Sequence, residues 1–315
     1  MKTELATSLR RIVRGTDDTR VRATWRICIA ILVTFSGAAI GGVVLRRIAL
    51  TELLQPLVGH TFAVGGVLTA LFILARYVDH RPIPAYGFTK SYAWIIDVLV
   101  GTLTGIALVC LAFIGSYEWG KVTIVEIFSP GSARSFAVGM SILVLGWILV
   151  AFWEETLFRS LFFKNATEGL AARGLSKPVA ILGARVASSL VYGFLHGPFG
   201  SNPESVGLVY ALIMTSVMGG LFGLAYALFD ELAFPIGLHT GINFAEHNLF
   251  FGPIDAVVPA VLRVRHTISG ESIQFQSLDP LVIIPVFLCG YVFVTGWFYL
   301  RNGSISPGLT RSLES

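Results

Sequence analysis

Six stretches of 19 to 25 residues carry no Asp, Glu, Lys or Arg: 27–45, 53–75, 98–117, 135–153, 205–229 and 281–300. A helix needs about 20 mostly apolar residues to cross a bilayer. Inside lipid every backbone polar group must find its partner within the chain, and a helix does this locally. Two further segments are long enough but chemically impure. Residues 179–196 carry Arg185, and residues 234–252 carry His239, Asn243, Glu246 and His247. The expected fold is all-α: a multi-pass transmembrane helical bundle of about eight spans. Composition agrees, with 54% hydrophobic and 13% charged residues. A soluble domain holds about 25% charged residues. A chain with half that charge cannot cover a soluble surface, so a soluble globular domain, a disordered chain and a nucleic-acid binder are excluded.

With eight spans and the amino terminus inside, 17 of the 23 Lys and Arg residues fall in cytoplasmic segments and 6 outside. This bias places both termini in the cytoplasm of a cell-membrane protein. The basic segment 1–26 then precedes a signal anchor rather than a removable signal peptide. Within it Leu5, Leu9, Ile12 and Val13 share one helical face, which predicts a short interfacial helix ended by Gly15. Residues 301–315 form a cytoplasmic tail. Trp25, Trp94, Trp119 and Trp297 lie near span ends, as interface anchors do. The pairs Gly101/Gly105, Gly219/Gly223 and Gly237/Gly241 predict close helix contacts. Cys28, Cys110 and Cys289 are far apart in apolar runs and read as buried small hydrophobes. No repeat, linker or low-complexity tract divides the chain, which reads as one membrane domain, and the long outer loop 252–280 carries no evident chemistry.

Ionisable residues inside spans are costly, about 2.5–3.5 kcal/mol each on insertion scales, and therefore point to function. Three clusters break the apolar pattern. In Trp153-Glu154-Glu155-Thr156-Leu157-Phe158-Arg159 no Gly or Pro intervenes, so the fourth helix is expected to run on to about Lys164. Glu155 and Arg159 are four apart and share a face, which predicts an ion pair. Glu154 is rotated about 100° away and stays free. In the second cluster Tyr192 and His196 lie on one face at the end of an apolar helix, before the breaker Gly197-Pro198. In the third, Pro235 sits in the first turn and His239 and Asn243 share a face. Each cluster alone also fits a structural role: a charged helix end, a capping histidine, an interhelical hydrogen bond. Glu246 and His247 read as structural. Together the clusters aim a free carboxylate, two imidazoles and an amide at one cavity. That set suits general-base hydrolysis, and Glu154, His196 and His239 would also suit a divalent metal such as zinc.

EExxxR (Glu154, Glu155, Arg159), an aromatic-xxx-His (Tyr192, His196) and HxxxN (His239, Asn243) occur in that order. The arrangement resembles the signatures of the CPBP (ABI) intramembrane proteases, which include the CAAX prenyl endopeptidases. The resemblance covers about residues 140–250, with a family-like catalytic four-helix core over 136–250. Asp79-His80-Arg81-Pro82 and Gly87-Phe88 are similar in style. The resemblance implies that Glu154 activates water with help from His196, that His239 and Asn243 form an oxyanion hole, and that Glu155 and Arg159 orient the site or hold substrate. Tyr192 stands where the family usually has Phe. The implied activity is endoproteolysis of a membrane-associated protein or lipidated peptide, with the bilayer as the other partner and either a divalent metal or no cofactor. The chain has no HExxH, no GxSG and no GxGD, so other intramembrane protease chemistries lack their motifs. Two other classes share the pattern. One is a non-catalytic scaffold or immunity factor of the same fold. The other is a proton-coupled transporter, although the inverted repeats usual for transporters are not evident.

Overall fold

The computed structural model describes residues 13–14, 20–89, 91–200, 208–254, 256–266 and 279–309. The interfacial helix expected around Leu5, Leu9 and Ile12 lies outside the described residues, as does the end of the tail. Nine α-helices are described: α1 Ala23–Leu45, α2 Gln55–Ile73, α3 Tyr92–Glu118, α4 Phe136–Glu155, α5 Lys164–Ala171, α6 Lys177–Gly200, α7 Leu208–Phe229, α8 Ala233–Phe244 and α9 Pro280–Asn302. Seven helical segments among the described residues are long and apolar enough to cross a membrane. The chain is a multi-pass membrane protein. The expected segment 234–252, with its His239, Asn243, Glu246 and His247, is not among these seven. It is helical over α8 and the π stretch Ala245–Phe250, and α8 is buried from Ala233 to Ile242, so it sits inside the bundle.

The acids do lie within a continuous helix. A π-helical stretch Thr156–Phe163 joins α4 to α5, so the segment Phe136–Ala171 is unbroken. Wide turns of this kind are rare and often mark functional positions. Two more, Leu74–Val78 and Ala245–Phe250, end α2 and α8. The expected breaker Gly197-Pro198 does not end α6, whose backbone stays helical to Gly200. None of the three cysteines is buried: Cys28 and Cys110 are half-buried and Cys289 is exposed. The apolar runs that hold them turn part of their circumference outward, where a membrane protein tolerates a small apolar side chain.

Helix α8 is held at backbone distance from α3. A Cβ on Gly101 would lie 2.5 Å from the Phe234 carbonyl oxygen, and one on Gly105 2.5 Å from that of Leu238. Gly237 and Gly241 meet the Val98 and Thr102 carbonyls in return. These two predicted glycine pairs face each other across one interface. The third serves a different end: Gly219 makes room for the Tyr192 ring and Gly223 for the Arg185 stem.

The loop after α2 fastens several elements together. Asp79 accepts from Arg26 of α1 at 3.1 Å and from the Tyr86 hydroxyl at 2.6 Å. Burial, and then the bond to Asp79, push the Tyr86 phenol far above its ordinary range. Arg81 pairs with Glu168 of α5; burial opposes the arginine's charge, but Glu168 holds its pKa above the usual value. The Tyr86 carbonyl accepts from Ser160 at 2.7 Å, and the Gly87 carbonyl from the Leu232 amide at 3.0 Å. Gly87 needs its φ of +89° to make that turn.

A three-stranded sheet caps the opposite end of the bundle. Strands β1 (Val122–Ser129), β2 (Gly252–Pro253) and β3 (Ala260–His266) lie in the order β1-β3-β2. Strands β1 and β3 are antiparallel, from Val122 against His266 to Ser129 against Ala260, with an irregularity between Ile124 and Glu126. Strands β2 and β3 lie in the long outer loop 252–280.

Candidate active site

Three helices bring the predicted residues together. Glu154 and Glu155 come from the end of α4, Arg159 from the π turn that follows, Tyr192 and His196 from α6, and His239 from α8.

The two neighbouring carboxylates have separate environments, as a rotation of about 100° requires. Glu155 is fully buried, and both its oxygens are occupied. Oε2 accepts from Arg159 Nε at 2.9 Å, and Oε1 lies 2.9 Å from His239 Nδ1. Glu154 instead faces both imidazoles: its Oε2 lies 3.1 Å from His196 Nε2 and 3.8 Å from His239 Nε2. His239 thus links the two acids through its two nitrogens.

The second nitrogen of His196 decides how protons are shared. Nδ1 lies 2.8 Å from the Tyr192 carbonyl oxygen, which can only accept, so Nδ1 carries hydrogen. The close contact between Nε2 and Glu154 Oε2 then holds one proton shared by the pair. Either it rests on the imidazole beside a carboxylate, or on the carboxyl beside a neutral imidazole. The side chain of His196 is 28% exposed against 8% for Glu154, so His196 is the more accessible member of the pair. For His239 the same accounting applies. With Glu155 accepting from Nδ1, the ring must also carry hydrogen on Nε2 before it can donate to an oxyanion.

The supporting shell is aromatic. Tyr192 stacks on His196 with centroids 4.0 Å apart, and Phe222 of α7 stacks on His239 at 4.8 Å. The Arg159 guanidinium lies over both rings, 5.2 Å from Tyr192 and 5.8 Å from Phe222. Its Nη1 donates to Ser188 at 3.0 Å, while Nη2 has no hydrogen-bond partner among the described residues. The ring faces serve that buried charge in place of an acceptor. Asn243 lies one turn beyond His239 on α8. It is half-buried, and its amide makes no hydrogen bond among the described residues. Glu246 and His247 lie on the following π turn, where His247 stacks on Trp147 at 4.9 Å.

Sequence reading missed Ser188 and Phe222, whose residue types carry no signal in an apolar helix. It also missed His60 of α2, a polar residue in a run read as clean. His60 is half-buried, within electrostatic reach of Glu154, and lines a cavity of about 180 Å³ with Leu143, Gly146 and Val150.

The metal reading fits less well. No group of three or more His, Cys, Asp or Glu is placed to hold an ion among the described residues. Glu154, His196 and His239 do not surround a common point, because both Nε2 atoms are directed at the same carboxylate oxygen.

Residues 136–245 match the family described as type II CAAX prenyl endopeptidase, Rce1-like. The match spans about a third of the chain and contains every residue of the three motifs. Comparison with curated proteins and with solved structures returned no match.

Proposed function

We propose that this protein is an intramembrane endopeptidase that uses a glutamate-activated water. The observation that carries this reading is the Glu154–His196 contact at 3.1 Å beside an acid, Glu155, that is fully committed elsewhere. In this mechanism Glu154 takes a proton from a water molecule and His196 shares the resulting charge. The hydroxide adds to the scissile carbonyl carbon. The oxyanion accepts hydrogen bonds from the free Asn243 amide and from Nε2–H of His239. Collapse of the intermediate breaks the C–N bond, and the proton held by the Glu154–His196 pair passes to the departing amine. Glu155 and Arg159 fix His239 and touch no reacting atom. The family match supports a protease acting on CAAX-type or other lipidated, membrane-associated chains. The charge bias supports a cavity reached from the cytoplasm, with both termini on that side.

The test compares membrane-peptide termini in cells expressing the wild type or Glu154→Gln at equal levels. New ends found only with the wild type establish the protease and give its cleavage rule. A cellular phenotype that survives Glu154→Gln, with identical termini, points instead to a scaffold.

A further inference from the structure

A second site lies at the other end of the long catalytic helix. A cavity of about 270 Å³ opens between the start of α1 and the end of α5. Its wall holds Arg20, Arg22, Arg26 and Arg173 against one carboxylate, Glu168. Glu168 is already engaged, with Arg26 at 2.9 Å, with Arg81, and with Arg20 at 4.0 Å. The cavity therefore carries a net positive charge and focuses a field that attracts anions.

Two observations turn a basic recess into a binding site. Arg26 lines the cavity and is buried, yet its Nε has no hydrogen-bond partner among the described residues. Buried donors are nearly always matched by an acceptor. Helix α1 also begins without a side-chain cap, since Arg22 at that position supplies none. Ala23 and Thr24 of its first turn line the same cavity, and no acceptor serves their amides among the described residues. A phosphate group answers both needs, because its oxygens take arginine N–H groups and helix-start amides together.

The surroundings identify what carries the phosphate. Trp25, in the same first turn of α1 as the cavity-lining Ala23 and Thr24, is exposed. Beyond it α1 turns Leu32, Phe35 and Ile40 outward, and Leu32 is 68% exposed. An apolar surface thus runs from the rim of a cationic cavity along a spanning helix. Acyl chains would lie on that surface with their headgroup in the cavity. Charge bias puts this end in the cytoplasm, where the leaflet is anionic. We propose that the cavity binds the headgroup phosphate of an anionic phospholipid. Arg26 would carry the effect inward, through Asp79 and Tyr86 to Ser160 on the π turn that follows Glu155. The proposal does not depend on the hydrolytic reading.

Native mass spectrometry and thermal melting of the purified full-length protein test it, with phosphatidylglycerol, phosphatidylcholine and inorganic phosphate as probes. The wild type should retain phosphatidylglycerol and melt higher with it, and should not retain phosphatidylcholine. Arg22→Gln/Arg173→Gln changes two exposed side chains and should weaken retention at least about tenfold. Arg22→Lys/Arg173→Lys should keep most of it, which separates charge from folding. Arg46→Gln/Arg47→Gln, at the far end of α1, should retain lipid like the wild type. The proposal fails if the cavity double variant holds phosphatidylglycerol like the wild type, if phosphatidylcholine is retained equally, or if both double Gln variants lose lipid alike. Stabilisation by inorganic phosphate equal to that by phosphatidylglycerol would also overturn it, in favour of a free phosphate ligand.

Discussion

His196 holds Glu154 at 3.1 Å with one nitrogen while the Tyr192 carbonyl fixes the other. The pair therefore acts as one proton-handling unit. Glu154→Gln and His196→Ala should each lower kcat about 10²- to 10⁴-fold, with smaller effects on KM. The double variant should be scarcely worse than either single one, because the second change removes a partner already idle. Steady-state kinetics on a cleaved peptide would show this. Losses that multiply would mean that the two residues act separately.

Asn243 offers a cleaner probe of the oxyanion role. Its amide makes no hydrogen bond among the described residues, so removing it breaks nothing in the resting protein. Asn243→Ala should leave the melting temperature unchanged and reduce kcat about 10²- to 10³-fold. A variant that melts lower but turns over normally would assign Asn243 to packing.

Glu155 and Arg159 are both fully buried, and removing either strands the other. Arg159→Met should cost about 3–5 kcal/mol of stability. Glu155→Gln/Arg159→Met, which leaves no unpaired charge, should recover part of that loss without restoring full activity, because His239 loses the carboxylate that fixes it. Denaturation in detergent combined with turnover separates the two effects.

Much of this site is legible in the sequence because polar residues in an apolar span are rare. Glu154, Glu155, Arg159, His196 and His239 stand out against runs without charge, and helical spacing alone pairs Glu155 with Arg159. Phe222 and Ser188 are illegible because Phe and Ser are ordinary there, and only tertiary packing puts them against His239 and Arg159. Helix α8 is legible as a helix, but that protein surrounds it from Ala233 to Ile242 is visible only in the tertiary packing. Strand β1 is rich in Val, Thr and Ile, as strands are, but its partner β3 lies more than 130 residues away, beyond any local pattern. The Cys residues mislead for a related reason: an apolar run does not say which side faces inward.

The α3–α8 contact places His239 and Asn243, so it should be intolerant of added volume. At Gly105 and Gly241 a Cβ would collide with backbone, which cannot rotate away. Gly105→Ala and Gly241→Ala should each destabilise by about 1–3 kcal/mol. Gly241→Ala should also depress kcat, since it lies between His239 and Asn243 on the same helix. Gly65→Ala, where a Cβ meets nothing within 4 Å, is the control and should melt like the wild type.

His266 gives the fold a dependence on pH that is separable from catalysis. It is buried in β3, stacked on Phe251 with centroids 6.0 Å apart, and burial lowers its pKa below the ordinary 6.5. The unfolded chain thus binds a proton that the folded chain refuses. The stability from a neutral His266 is fully present above about pH 6.5 and declines as the pH falls toward and through the lowered folded value. Melting temperature should accordingly drop between pH 7 and pH 5, and His266→Phe should remove part of that slope while keeping the stack on Phe251. The quantity to measure is the difference between the wild-type and His266→Phe profiles, in which contributions from other groups cancel. Parallel profiles would show that the sheet end of the bundle does not sense pH through this residue.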